Sequence, residues 1–186
     1  MPLANALLDS AAEIPGEESY PLDVYFCETC GLVQLLDVID PEVLFRDYVY
    51  TTGVSETMAA HNLRYARAVT GMLAIGPEDL VVEVASNDGS LLACFRDQGV
   101  RVLGVEPAAN IAAMANAEGI ETIAEFFNAA MGATIRESHG PAAAVVANNV
   151  FAHVDDPVGF LRGMRDVLDD GGLVIIEVPY LRDLVD

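Results

Sequence analysis

The chain is short of positive charge: nine Lys and Arg stand against 29 Asp and Glu, a formal net charge of −20 over 186 residues. A surface of that sign repels phosphate backbones, which excludes nucleic-acid binding as a function class. The acids are scattered rather than gathered in one block, so they read as a solvated surface that keeps the protein dispersed. Long apolar runs are missing too. No stretch of about 18 uncharged apolar residues occurs, and the opening MPLANALLDSAAEIPGEE has no basic n-region. Neither a membrane span nor a signal peptide is expected, and the default is a cytoplasmic enzyme. Cysteine is scarce, three in all, and the glycine-rich turn G-x-G-x-x-G of dinucleotide-binding folds is absent.

What is present is enough apolar material for a sizeable core, 53% of residues, with a mean hydropathy of +0.35. Residues 1 to 60 are short apolar pieces broken by Pro, Gly and Asp, and they hold the two closely spaced cysteines. From about residue 57 the texture changes. TMAAHNLRYARAVTGML carries Met58, His61, Leu63, Tyr65, Val69 and Leu73 at helical spacing, an amphipathic helix. A boundary therefore falls near residues 54 to 60, giving a small module at 1–56 and a main domain at 57–186.

The main domain alternates strand and helix: LVVEVA, SLLACFRDQG, RVLGVEP, ANIAAMANAEG, ETIAEFF, NAAMGATIRESHG, AAAVVANNV, PVGFLRGMRDVLDDGG and LVIIEVP. Strands of continuous Val, Ile, Leu and Ala between helices of about ten residues predict a parallel sheet covered on both faces. The expected fold is α/β, a doubly wound Rossmann-like sheet of five strands with all carboxyl ends on one edge.

VVEVASNDGSLL, residues 81–92, predicts a buried strand passing through a tight turn into a helix. Free N–H groups at that helix start aim at whatever lies over the strand end, and Gly89 allows a close approach. A pyrophosphate is disfavoured, because Glu83 and Asp88 flank the turn. S-adenosylmethionine reverses the electrostatics: it brings a sulfonium and an ammonium, and only one carboxylate. Glu106, 17 residues past Gly89 at the end of the next strand, is then placed to accept both ribose hydroxyls. Seen alone, it also reads as a solvated edge residue. Pro107 turns the chain away from the strand. Asn148 and Asn149 end the fourth strand, so at least one faces the crevice, and His153 follows in the loop as either bystander or proton carrier.

Cys27-Glu28-Thr29-Cys30-Gly31 has the C-x-x-C spacing of a zinc knuckle. Zinc needs four ligands and only two are near; Cys94 reads as a small buried thiol. A thioredoxin-like redox pair would open a helix, whereas C-G-L-V-Q-L reads as a knuckle followed by a strand. Half a zinc site is the better description.

Taken together, YPLDVYFCETCGLVQL, PEVLFRDYVYTTGVSETMAAH, VEVASNDGSLL, GVEPAANIA and ANNVFAHVDDP resemble the class I S-adenosylmethionine-dependent sugar C-methyltransferases with an N-terminal zinc-binding module, over essentially the whole chain. The resemblance implies methylation of a carbon in a nucleotide-activated keto-deoxysugar, commonly dTDP-linked. It implies that Glu83, Ala85, Ser86, Asn87, Asp88, Gly89, Glu106 and Pro107 hold the cofactor, with Phe126 near the adenine and Asn148 near the methionine moiety. Tyr48 or Tyr50 and His153 would face the sugar, and Cys27 and Cys30 would bind metal. MPLANALL looks like the segment after the family's first C-x-x-C, and EVPYLRDLVD like the approach to its Tyr-His-Glu-His catalytic segment. The expectation is thus a piece that binds cofactor, with half a zinc site and with the base supplied by that later segment. A cofactor-binding chain without chemistry, or a methyltransferase for another small acceptor, are the alternatives. The partner expected is a nucleotide sugar; nothing in the sequence indicates an oligomeric state.

Overall fold

The computed structural model describes residues 1–3, 7–46 and 48–180, and the chain divides into two compact units, Met1–Tyr50 and Thr51–Asp186. In the first unit β1 (Val24–Phe26) and β2 (Val33–Leu35) pair antiparallel, Val24 opposite Leu35 and Phe26 opposite Val33. The turn between them is the expected knuckle. Gly31 N–H donates to the Cys27 carbonyl and Cys27 N–H to the Leu32 carbonyl, both at 2.8 Å. Gly31 takes φ of 77°, where an L side chain is strained. The helix α1 (Pro41–Phe45) starts on Asp40, whose carboxylate accepts from Glu42 N–H. Every residue of β1 and β2 is exposed, so the hairpin has no apolar core of its own, and such a hairpin alone is marginal.

The second unit is built from α2 (Glu56–Leu73), β3 (Leu80–Val84), α3 (Ser90–Arg96), β4 (Arg101–Val105), α4 (Ala109–Ala117), β5 (Thr122–Ile123), α5 (Ala129–His139), β6 (Ala142–Asn148), α6 (Pro157–Val167) and β7 (Leu168–Glu177). The five strands form one parallel sheet in the order β5-β4-β3-β6-β7. Chain order reverses between β3 and β6, and in open α/β sheets ligands lie over that switch point, at the strands' carboxyl ends.

The alternation of side chains along a strand sorts the two faces. Leu80, Val82 and Val84 of β3, with Val145 and Ala147 of β6, pack on Ile135 of α5 and on Phe160, Met164 and Val167 in α6. Val81, Ala144 and Val146 turn the other way, onto Ala66 and Val69 of α2 and Leu91, Leu92 and Phe95 of α3. The helices α5 and α6 touch backbone to backbone: a Cβ on Gly132 would drive into the Gly163 carbonyl, and one on Gly163 would fall 2.8 Å from that of Asn128.

Two boundaries and one buried position differ from the sequence reading. ETIAEFF yields only the two-residue strand β5, held by Asn116, whose side chain accepts from Thr122 N–H and donates to its carbonyl. The LDDGG expected to end α6 belongs to β7, which starts at Leu168 with a register shift between Ala142 and Ala144. On α2, Leu63 is 39% exposed and Asn62 is buried in its place, because its amide donates to Ser90 Oγ at 3.2 Å. No helix among the described residues is long and apolar enough to cross a membrane. The segment LRDLVD at 181–186 lies outside the described residues.

Candidate functional site

The turn from β3 to α3 carries the geometry of a glycine loop with a single glycine. Ala85, Asn87 and Gly89 all have positive φ, 56°, 50° and 75°. Asn tolerates that region, whereas Ala pays for it in strain of about 1–2 kcal/mol. Gly89 is required by packing as well as by φ, since a Cβ there would meet the Ile120 side chain at 3.0 to 3.2 Å.

Glu83 is the fourth residue of β3 and is buried, 6% exposed, on the face shared with α2 and α3. Its Oε2 is a buried oxygen with no hydrogen-bond partner, as is Ser86 Oγ. Burial first, then the charges of Asp88 and Glu106, hold the Glu83 carboxyl well above the ordinary glutamate range. Ser86 Oγ stands over Gly104 of β4, where any Cβ would collide with it. Glu106 is buried at the end of β4 and its two oxygens accept from Asn87 N–H at 2.9 Å and Ala108 N–H at 3.0 Å. Burial raises its pKa, partly offset by those N–H groups of Ala108 and Asn87. Pro107 follows, partly buried, directly on the strand end.

Asn87 and Asp88 do something the sequence did not reveal. Asn87 Oδ1 accepts from Thr52 N–H at 2.9 Å, and Asp88 Oδ2 accepts from Gly53 N–H at 2.7 Å, while Asp88 Oδ1 takes Ser90 N–H at 3.1 Å. The segment leading into α2 is thereby strapped onto the turn. Sequence separation of 35 residues hid this pairing.

Asn148 ends β6 on the same face as Glu83, and its Oδ1 accepts from the Tyr65 hydroxyl of α2 at 3.3 Å. Burial, and then the charges of Glu83 and Glu177, push Tyr65 up to about 12. Asn148 is the register partner of Glu177 at the end of β7. One turn back on α2, His61 Nε2 lies 3.4 Å from Glu177 Oε2. The sequence reading places His61 and Tyr65 on an amphipathic helix and Glu177 in the last strand; the signal that joins them is the parity that puts 83, 148 and 177 on one face. Phe126 is partly buried after β5, and His153 is exposed in the 3-10 turn Phe151–His153 after β6.

In the first unit, Tyr48 and Tyr50 stand edge to face at 6.5 Å. The Cys27 thiol is held below its ordinary range by the backbone N–H of Cys30 first and of Thr29 second, which favours a thiolate. Among the described residues no group of three or more His, Cys, Asp or Glu is assembled that could hold a metal. Cys27 and Cys30 supply two of the four donors that a structural zinc takes, so the donor set does not fit a complete site. Cys94 is half-buried and its thiol is raised by burial.

Residues 58–186 match the family described as "Methyltransferase domain", and residues 1–45 match "Putative zinc binding domain". The C-methyltransferase NovU of Streptomyces niveus is 40% identical over 184 residues, covering 99% of this chain and 44% of NovU. The chain thus spans less than half the length of that relative. Among solved structures, the plantazolicin methyltransferase BpumL in complex with a pentazolic desmethylPZN analog and SAH superposes with a TM-score of 0.51 at 12% identity, over 66% of this chain and 48% of that one. The plantazolicin methyltransferase BamL superposes with a TM-score of 0.50 at 14% identity, over 64% and 46%. At such identities the likeness concerns the fold.

Proposed function

The chain belongs to the methyltransferase-domain family of class I fold, and from that premise we propose that it is the cofactor-binding part of an S-adenosylmethionine-dependent C-methyltransferase whose acceptor is a carbon beside the ketone of a nucleotide-linked deoxysugar. The observation that carries the cofactor is Glu83 Oε2, buried and unpartnered beneath the turn, with Asp88 and Glu106 adding negative field. A buried lone acid is costly unless a cation answers it. Bound there, S-adenosylmethionine supplies an electrophilic methyl group and a compensating positive charge.

The residues divide the work. Glu83 takes the cationic end and gives up its proton as the cation arrives. Ala85, Ser86 and Gly89, with the strapped Asn87 and Asp88, shape the turn whose N–H groups receive a carboxylate. Glu106 keeps a lone pair on each oxygen for ribose hydroxyls, Pro107 ends the strand beside it, Phe126 offers a ring to the adenine, and Asn148 offers its amide donors to the methionine end. His153 serves the acceptor. Tyr48 and Tyr50 enter through their place in the chain alone. The acceptor class is supported by the likeness to NovU, a C-methyltransferase, and by the Cys27–Cys30 knuckle ahead of the domain, whose thiols we assign as two zinc ligands. We place the protein in the cytoplasm.

Calorimetric titration with S-adenosylhomocysteine and, separately, with NAD tests the cofactor. Saturable binding of the first and none of the second is expected; NAD binding overturns the proposal.

A further inference from the structure

We propose that Tyr65 is a positioning residue for the cofactor: its hydroxyl pins the Asn148 carboxamide so that the nitrogen, and not the oxygen, is left to receive the carboxylate of the methionine end. This rests on the S-adenosylmethionine reading above and concerns the cofactor alone. The placement comes from α2, which is tied down at three nearby positions. His61 Nε2 lies 3.4 Å from Glu177 Oε2 on β7, the Asn62 amide donates to Ser90 Oγ at the start of α3 at 3.2 Å, and the Tyr65 hydroxyl donates to Asn148 Oδ1 on β6 at 3.3 Å. Behind the hydroxyl, the ring packs against the apolar cluster that includes Val81 and Val146, with the His61 ring 6.0 Å away. The hydroxyl is thus carried by a braced helix and not by a loop.

A carboxamide has an acceptor at one end and two donors at the other, and a half-turn about its last bond exchanges them. Which end a ligand meets is decided by what holds the other. Here the oxygen is taken by Tyr65, and among the described residues nothing accepts from Asn148 Nδ2. Tyr65 keeps the proton it donates, because burial and then the charges of Glu83 and Glu177 push it up to about 12. At 3.3 Å the bond is long for a hydroxyl donor, so it sets an orientation more than it adds strength.

Asn148 shares its face of the sheet with Glu83, two residues beyond the Val146 that is the register partner of Glu83. One acid and one pair of amide donors on that face match the ammonium and the carboxylate of an amino acid. An amide free to turn would set its oxygen against the carboxylate for part of the time, and binding would then carry the cost of fixing it.

The test compares S-adenosylhomocysteine with 5′-methylthioadenosine, which keeps the nucleoside and the sulfur but lacks the amino acid, in calorimetric titrations of the wild-type chain and its variants. Wild type should bind S-adenosylhomocysteine the more tightly. Y65F should weaken S-adenosylhomocysteine roughly two- to tenfold and hold 5′-methylthioadenosine within twofold, which also certifies the fold. On an N148A background Y65F should change nothing further, since a loss that belongs to the amide vanishes with it. N148D tests the other partner: its carboxylate still accepts from the Tyr65 hydroxyl but has no donors, so it should weaken S-adenosylhomocysteine more than N148A does and spare 5′-methylthioadenosine. Y65F or N148D with wild-type affinity for S-adenosylhomocysteine, or Y65F weakening both ligands alike, overturns the positioning role and leaves the cofactor reading standing. Wild type that binds no S-adenosylhomocysteine overturns both.

Discussion

In the proposed site, Glu83 ties stability to cofactor binding through one carboxyl group. Its folded pKa lies well above the ordinary 4.5 because of burial and then of Asp88 and Glu106. Below 4.5 both folded and unfolded states hold the proton and nothing is lost. As pH rises past that value the unfolded chain ionises first, so stability falls until the folded-state pKa is passed. Glu83→Gln removes this loss. The variant should gain more stability at pH 8 than at pH 5 in urea denaturation, and bind S-adenosylmethionine at least tenfold more weakly; a gain independent of pH would refute the linkage. In the neighbouring turn, Gly89→Ala combines positive φ with a clash on Ile120 and should destabilise by roughly 1–3 kcal/mol. Ala85→Gly relieves a strained φ at some entropic cost and should lie within about 1 kcal/mol of wild type. Equal effects of the two, by urea denaturation, would argue against the turn geometry.

At the scale of elements, the strap of Thr52 and Gly53 onto Asn87 and Asp88 predicts coupled protection. Asn87→Ala should speed hydrogen exchange at the Thr52 amide by tenfold or more and leave the β3 amides unchanged; unaltered exchange at Thr52 would show that the strap is not held there. The knuckle predicts weak metal binding. With two thiolates, Zn2+ should be stripped by stoichiometric EDTA, and Cys27→Ser should abolish uptake in a chromogenic chelator assay. Much of this was legible in advance. The strand–helix alternation fixed the parallel sheet, since Val-rich runs such as LVVEV admit burial on both faces, and the acid-turn-acid pattern singled out Glu83 and Glu106, which the fold buries on neighbouring strand ends. What stayed hidden depends on contacts distant in sequence. Nothing near Asn87 announces Thr52, and Glu177 reads as a strand-end acid until the sheet sets it beside Asn148 under His61. LDDGG was misread because a bulged strand start and a helix end share Gly and Asp.

For the whole molecule, the formal charge of −20 acts against compaction. Self-repulsion is screened by salt, so raising NaCl from about 0.05 to 0.5 M, which shortens the screening length to a few ångströms, should raise the melting temperature in scanning calorimetry. A melting temperature that stays flat or falls would mean that the acids are already neutralised by local pairing. The strap also bears on how such chains are recombined. Because Thr52 and Gly53 are stitched to the β3–α3 turn although they come before α2, a chimera that exchanges the leading module should be spliced ahead of Thr51. A junction placed at the start of the long helix would leave two oxygen acceptors of the turn facing a foreign backbone, and would disarm the recipient while leaving its sheet intact.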